Sequence, residues 1–270
     1  MRCSMGIKLF VTDMDGTLLD SNRRISDVNR EKICQAVKDG MLFTVATGRM
    51  YKSALPYAES LELDVPIITY NGAMIKTVGG KKIAVTHIPE DLVRQVVVFA
   101  DEMGQYVHIY TEEELYYREH CPESDWYERA AGVQGIPVGD KLPEYNQNVP
   151  KMLIMAKSAE LIPDLLAKFQ QRFGDRLQGQ NSDPTYIEVM AAGVSKASSM
   201  LKLAELFGVE QKDILAIGDS GNDVDMIKAA GVGVAVANAR PSAMEAARYH
   251  VGANVDNGVA EAIDRFFYGR

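Results

Sequence analysis

Short apolar runs alternate with amphipathic stretches at both ends of the chain. Ile7 to Val11, Met41 to Ala46, Pro66 to Thr69, Ile214 to Ile217 and Val232 to Val236 are brief and nearly continuous in apolar residues, as strands buried on both faces are. Between them lie helical patterns. Ser26 is placed to cap a helix whose stripe is Ile33, Cys34 and Val37 and which Gly40 ends. A second helix is expected from Tyr51 to Leu61, with Pro56 working against its continuity. Ser195 to Phe207, Asp223 to Ala230 and Asn257 to Phe267 supply three more. This alternation predicts an α/β fold, a parallel sheet with helices on both faces.

From Ala73 the pattern changes. Met74 to Val78 and Lys81 to Thr86 flank Gly79-Gly80, which predicts a hairpin with positive φ at both glycines. Pro89 to Met103 reads as a helix with Val93, Val96, Val97 and Ala100 on one face, and Leu161 to Phe173 as another. Gln105 to Tyr110, Glu114 to Arg118, Lys151 to Ala156, Asp175 to Asn181 and Thr185 to Met190 read as strands, and Gly132 to Pro150 as a loop. The organisation predicted is a core of residues 1–81 and 187–270 with an α/β domain, 82–186, inserted before the Lys196 helix. Within the insert, Tyr106, His108 and Tyr110 alternate with Val107 and Ile109, and Tyr186 and Glu188 with Ile187 and Val189. Period two sends the aliphatic set against the two helices and leaves the polar-aromatic face free. That face is either a surface for a substrate's leaving group or an ordinary solvated sheet face.

Composition narrows the class. At 270 residues and 47% hydrophobic, the chain has apolar material for two cores. Its net charge of −8 and its lack of a Lys/Arg cluster disfavour nucleic acid as a partner. Cys3, Cys34 and Cys121 are widely spaced, which supports neither a disulfide framework nor a zinc site and points to a reducing compartment. There is no apolar segment long enough for a membrane span, and Met1 to Lys8 does not read as a signal peptide. A cytoplasmic location is the expectation.

Polar residues gather where strands should end. Asp13-Met14-Asp15-Gly16-Thr17 follows the first run, Thr47-Gly48-Arg49 the second, Asn71-Gly72-Ala73 the third, and Gly218-Asp219-Ser220-Gly221-Asn222-Asp223 the run Ile214 to Ile217, while Lys196 opens a helix. In open α/β sheets ligands bind beyond the carboxyl ends of the strands. The ordered set resembles the haloacid dehalogenase (HAD) superfamily, in its Cof-type branch of sugar-phosphatase-like proteins. The resemblance implies a Rossmann-like core with an inserted cap, and a Mg²⁺-dependent phosphatase acting on small phosphorylated metabolites such as sugar phosphates. An EF-hand is a poor rival, because Gly16 falls at the fourth position of the loop and Arg24 at the twelfth.

A phosphate ester's anionic oxygens repel a nucleophile, so a catalyst must neutralise them, align the attack and protonate the leaving alkoxide. The resemblance implies Asp13 as nucleophile, forming an aspartyl-phosphate, and Asp15 as general acid and then base. It implies Mg²⁺ held by Asp13, the Asp15 carbonyl and Asp219, with Asp223 orienting a metal-bound water or ligating directly. Taken alone, Asp219 to Asp225 would read as acidic helix capping. Thr47 and Gly48 at a helix start, Lys196 and Asn222 are the candidate donors to phosphate. Arg49 suits either a substrate anion or a core carboxylate. His108, Tyr110, Tyr186 and Glu188 are the candidate specificity residues if the cap closes with that face inward. The chain departs from the branch pattern at Met244, where Lys is common, and at Ala197, where Gly is common. A phosphomannomutase-like phosphotransferase and a non-catalytic phosphoacceptor are the alternatives; Asp15 counts against the second, because a base beside an acyl phosphate shortens its life.

Overall fold

The structure, a computed structural model, describes residues 6–270, so Cys3 and the start of the leader reading lie outside the described residues. The described residues form two units: 6–48, Ala54–Ile83 and Ser195–Arg270 in one, Arg49–Ser53 and Ala84–Val194 in the other.

The first unit is built on a five-stranded sheet in the order Tyr249–Val251, Val232–Val236, Ile214–Gly218, Leu9–Thr12, Leu42–Val45. Every pair is parallel. Leu9–Thr12 and Ile214–Gly218 are fully buried, because helices cover both faces of such a sheet. The helix Asp27–Lys38 starts where expected: the Ser26 hydroxyl accepts the Asn29 N–H at 3.1 Å, satisfying an amide with no partner inside the helix. Tyr51–Ser60 runs on through Pro56.

Two local expectations change. Ile67–Thr69 does not extend the five-stranded ladder; it joins Met74–Lys76 and Lys82–Val85 in a separate three-stranded sheet. Among the described residues its ladder link to the larger sheet is one parallel bridge, Ala46–Ile68, since Thr69 is followed by the kinked turn Tyr70–Gly72 and the chain folds straight back. The hairpin at Gly79-Gly80 forms, but only Gly80 has positive φ, at 87°. The turn closes through Gly80 N–H to Thr77 O and Thr77 N–H to Lys81 O, both 2.9 Å.

The second unit carries a six-stranded sheet in the order Leu177–Asp183, Tyr186–Ala191, Lys151–Met155, Tyr106–Tyr110, Leu115–Tyr117, Ile136–Pro137. The strand Tyr186–Ala191, which a boundary after residue 186 would detach, pairs antiparallel with Lys151–Met155 and Leu177–Asp183 and so belongs wholly to this sheet. On one face, Val107, Ile109, Met152, Ile154, Ile187 and Val189 form a core with the helices Glu90–Glu102 and Ile162–Phe173. Phe99 meets Phe169 and Phe173 edge-on there. The stretch expected as a loop holds the short strand Ile136–Pro137 and a 3-10 turn, Gly139–Glu144. A further helix, Pro122–Ala131, has no counterpart in the apolar pattern of the sequence.

Candidate active site

Because its strands are parallel, the five-stranded sheet presents their carboxyl ends along one edge, and the acids collect there. Asp13 follows Leu9–Thr12 and its N–H donates to the Ile217 carbonyl at 2.9 Å, which sets it beside the end of the neighbouring strand that delivers Asp219. One carboxylate oxygen from each of Asp13, Asp219 and Asp223 lies within 4.8 Å of the others. Lys196, the first residue of the helix Lys196–Leu206, sends its ammonium into this group. Its Nζ donates to Asp13 Oδ1 at 2.5 Å and to Asp223 Oδ1 at 2.8 Å, and its side chain is completely buried.

Asp223 is occupied on both oxygens. Oδ2 accepts the N–H groups of Asp219 and Ser220 at 3.1 and 3.0 Å, so this carboxylate shapes the loop that presents Asp219. Thr17 donates to Asp219 Oδ1 at 2.9 Å. Gly16 makes the crossing of these loops possible: it sits at φ +84°, and a Cβ on it would lie 2.7 Å from Asp219 Oδ2, so no other residue fits.

The electrostatics follow from burial and crowding. Burial, opposed by the Lys196 ammonium and reinforced by the neighbouring carboxylates, holds the Asp13 carboxyl well above its usual range. Burial and then Asp223 push Asp219 up to about 6. Burial works against the charge on Lys196, yet Asp13 and Asp223 outweigh it and keep the ammonium above its ordinary value. One cation serves three carboxylates. An all-oxygen, acid-rich donor set with surplus negative charge suits a hard divalent cation.

The remaining predicted residues fall into three groups. Asp15 is exposed and bridges to Leu19 through its backbone; its carboxylate is not one of the clustered three. Thr47, buried after Leu42–Val45, donates its N–H to Ile68 O and accepts the Asn71 N–H, both at 2.9 Å, and Gly48 follows it. Asn222 Nδ2 donates to Asn71 Oδ1 at 3.1 Å, and Asn222 Oδ1 accepts from Ser220 at 2.6 Å. Asn71, in the left-handed region at φ 54°, therefore joins the Thr47 loop to the Asp219 loop, a role that its place in the ordered motif set does not assign. Thr17 is a further site residue with no role assigned from sequence, although its place in the first loop is the available signal.

In the second unit the expectation of a free polar-aromatic face is corrected. His108 and Tyr110 are fully buried and Glu188 nearly so. The helix Pro122–Ala131 lays Tyr127 across them: its ring centroid is 4.4 Å from that of His108 and 6.2 Å from that of Tyr186, and the Tyr110 and Tyr127 hydroxyls bond to each other. Lys151 pairs with Glu188 at 2.6 Å and lies 4.6 Å from the Tyr110 ring centroid. Burial and then the Lys151 charge hold His108 well below its ordinary pKa.

A parallel sheet with clustered aspartates at its carboxyl edge and an inserted second sheet defines a class, and comparison bears it out. The chain belongs to the haloacid dehalogenase-like hydrolases, whose family pattern it matches over residues 10–263. It is a phosphatase of that family. It is 29% identical over 265 residues to 5-amino-6-(5-phospho-D-ribitylamino)uracil phosphatase YcsE of Bacillus subtilis, covering 97% of this chain and 96% of the relative. It is 28% identical over 288 residues to the phosphatase YwtE of Bacillus subtilis, named for the same substrate, covering 98% and 99%. Among solved structures it resembles a haloacid dehalogenase-like hydrolase from Bacteroides thetaiotaomicron, with TM-score 0.86 and 29% identity over 97% of this chain and 100% of that one. Among the described residues no helix is long and apolar enough to cross a membrane.

Proposed function

We propose that this phosphatase hydrolyses small phosphorylated metabolites, sugar phosphates foremost, in two steps through an aspartyl-phosphate on Asp13, with Mg²⁺ as its metal. The observation that carries the reading is the convergence of Asp13, Asp219 and Asp223 around one buried ammonium. Asp13, Asp219 and the Asp15 carbonyl would hold the ion, and when bound it supplies the positive charge that phosphoryl oxygens need.

The chain's own residues do the rest. Lys196 opposes the burial that disfavours the Asp13 carboxylate and brings a fixed cation to the phosphoryl group. An Asp13 oxygen attacks phosphorus while the bond to the ester oxygen breaks, and Asp15 gives that oxygen its proton. Asp15 then takes a proton from water, the hydroxide attacks phosphorus, and the bond to Asp13 breaks to release phosphate. Thr47, the Gly48 N–H and Asn222 are the donors proposed for the outer phosphoryl oxygens, with Asp223 placing Lys196 and the Asp219 loop. The ribityl phosphate in the relatives' names supports a polyhydroxyl leaving group.

The test is phosphate release from a panel of monoesters, including ribose 5-phosphate, hexose phosphates and p-nitrophenyl phosphate, with Mg²⁺ and with chelator. Release that needs Mg²⁺ and is fastest on a sugar phosphate supports the proposal. Isomerisation of the ester without release, or release indifferent to chelation, overturns it.

A further inference from the structure

We propose that Asn238 and Asn254 are positioning residues for Asp15, bracing from outside the turn that carries it. The inference rests on the acid and base role proposed for Asp15. The inner side of that turn hangs on one acceptor, the Met14 carbonyl, which takes the N–H groups of Leu18 and Leu19 at 3.1 and 2.8 Å. Its outer side is held by side chains more than two hundred positions along the chain. Asn238 Nδ2 donates to the Gly16 carbonyl at 2.8 Å, and Asn254 Nδ2 to the Leu19 carbonyl at 2.7 Å. The Asn254 N–H donates to Asn238 Oδ1 at 2.9 Å, so the two amides form one brace.

The points of attachment matter. Gly16 at φ +84° lies in a region where a glycine backbone has several conformations open to it. A hydrogen bond to its carbonyl selects one orientation of the Gly16–Thr17 peptide. That orientation aims Asp15 on one side and, on the other, the Thr17 hydroxyl that holds Asp219. Leu19, gripped by Asn254, bridges back to Asp15, so both ends of the turn are fixed. The loop bearing Asn238 also reaches the second acid segment, through Arg240 N–H to Asp219 O at 2.8 Å. A proton shuttle must meet the ester oxygen within hydrogen-bond reach, and a displacement of about 1 Å costs up to about a hundredfold in rate.

The discriminating variant is Asn238→Asp, which keeps the size and the acceptor for Asn254 but loses the donor to Gly16. Proton donation matters most for poor leaving groups, so kcat and KM are measured on the fastest alkyl phosphate of the panel above and on p-nitrophenyl phosphate, with Asp15→Asn as reference. The expected result for Asn238→Asp is a kcat loss of about tenfold or more on the alkyl ester and about threefold or less on the aryl ester, with KM little changed. Asn254→Ala shifts both in the same direction by less. Equal loss on the two esters, with a lowered Tm, makes the brace merely structural and overturns the inference. Discrimination in Asp15→Asn but none in Asn238→Asp also overturns it and leaves the proposed chemistry intact. If Asp15→Asn itself fails to discriminate, the acid and base reading falls, and this inference with it.

Discussion

Each unit of this protein buries a lysine against carboxylate, and the two arrangements differ in the company the cation keeps. In the unit built on the parallel sheet, Lys196 sits between Asp13 and Asp223 with Asp219 close by. In the other, Lys151 meets Glu188 under the Tyr110 ring. The first group carries more negative charge than its cation cancels, and raised carboxyl pKa values record the cost. The second sets an ion pair among aromatic rings. A surplus marks a place that a further cation completes, whereas an ion pair packed under rings marks a place that folding completes.

The largest effect expected is on chemistry. Asp13→Asn should lower kcat by about ten-thousandfold or more and leave no phosphoenzyme in acid-quench trapping, with Tm within a few degrees of the parent. Substantial turnover in that variant would remove Asp13 as nucleophile and the functional side of the comparison with it.

Next comes folding in the other unit. Lys151→Met takes the cation away while Glu188 stays buried, and should cost about 3–5 kcal/mol in denaturant unfolding. The double variant Lys151→Met with Glu188→Leu should recover most of it. A double variant as unstable as the single would mean that the pair is not acting as a unit.

Asp219→Ala should raise the Mg²⁺ concentration for half-maximal rate by about tenfold or more, with unfolding little disturbed, because the site is mounted on a sheet that does not depend on it. An unaltered Mg²⁺ titration would show that the surplus charge is not a cation site.

The smallest effect is a pH dependence. His108 is buried among Tyr106, Tyr110 and Tyr127, with the Lys151 charge nearby, and its pKa is depressed. The unfolded chain takes its proton near the ordinary histidine value while the folded chain does not. Between those two pKa values the unfolded state binds more protons, so stability falls as pH falls below about 6.5, by up to about 1.4 kcal/mol per pH unit. It is fully present above that range. His108→Phe should flatten this part of the stability profile between pH 7 and 5, and an unchanged slope would place the titration elsewhere.

What the sequence disclosed and what it hid divide along physical lines. Asp13, Asp219 and Asp223 were legible because buried strands announce themselves as apolar runs and their ends as polar punctuation, whereas Lys196, which opens a helix, stood out only through the family resemblance. The aliphatic face of the second sheet was legible for the same reason, since Val107, Ile109, Ile187 and Val189 alternate as a buried face must. The cover on the opposite face was not. In Pro122–Ala131 only Ser124 and Tyr127 are buried, too few to make a stripe, and the Cys121 N–H at its start bonds the Ser124 hydroxyl, a pairing that no common capping residue advertises. Ile67–Thr69 reads as another core strand because strand composition does not reveal which sheet a strand joins. Asn238 and Asn254 look like any loop asparagines until the segments they tie together are seen in space.

The strand Leu9–Thr12 pairs on one side with Leu42–Val45 and on the other with Ile214–Gly218. Lys8 and Asp213, which meet at one end of the second pairing, are 205 positions apart. On a ribosome adding about 5–20 residues per second, that separation is a wait of roughly ten to forty seconds. Throughout it, the strand that ends in Asp13 has one edge of N–H and C=O groups without its final neighbour, and such edges invite pairing with other chains. The same long closure that assembles the acids makes this edge the nascent protein's point of exposure to aggregation and to chaperones.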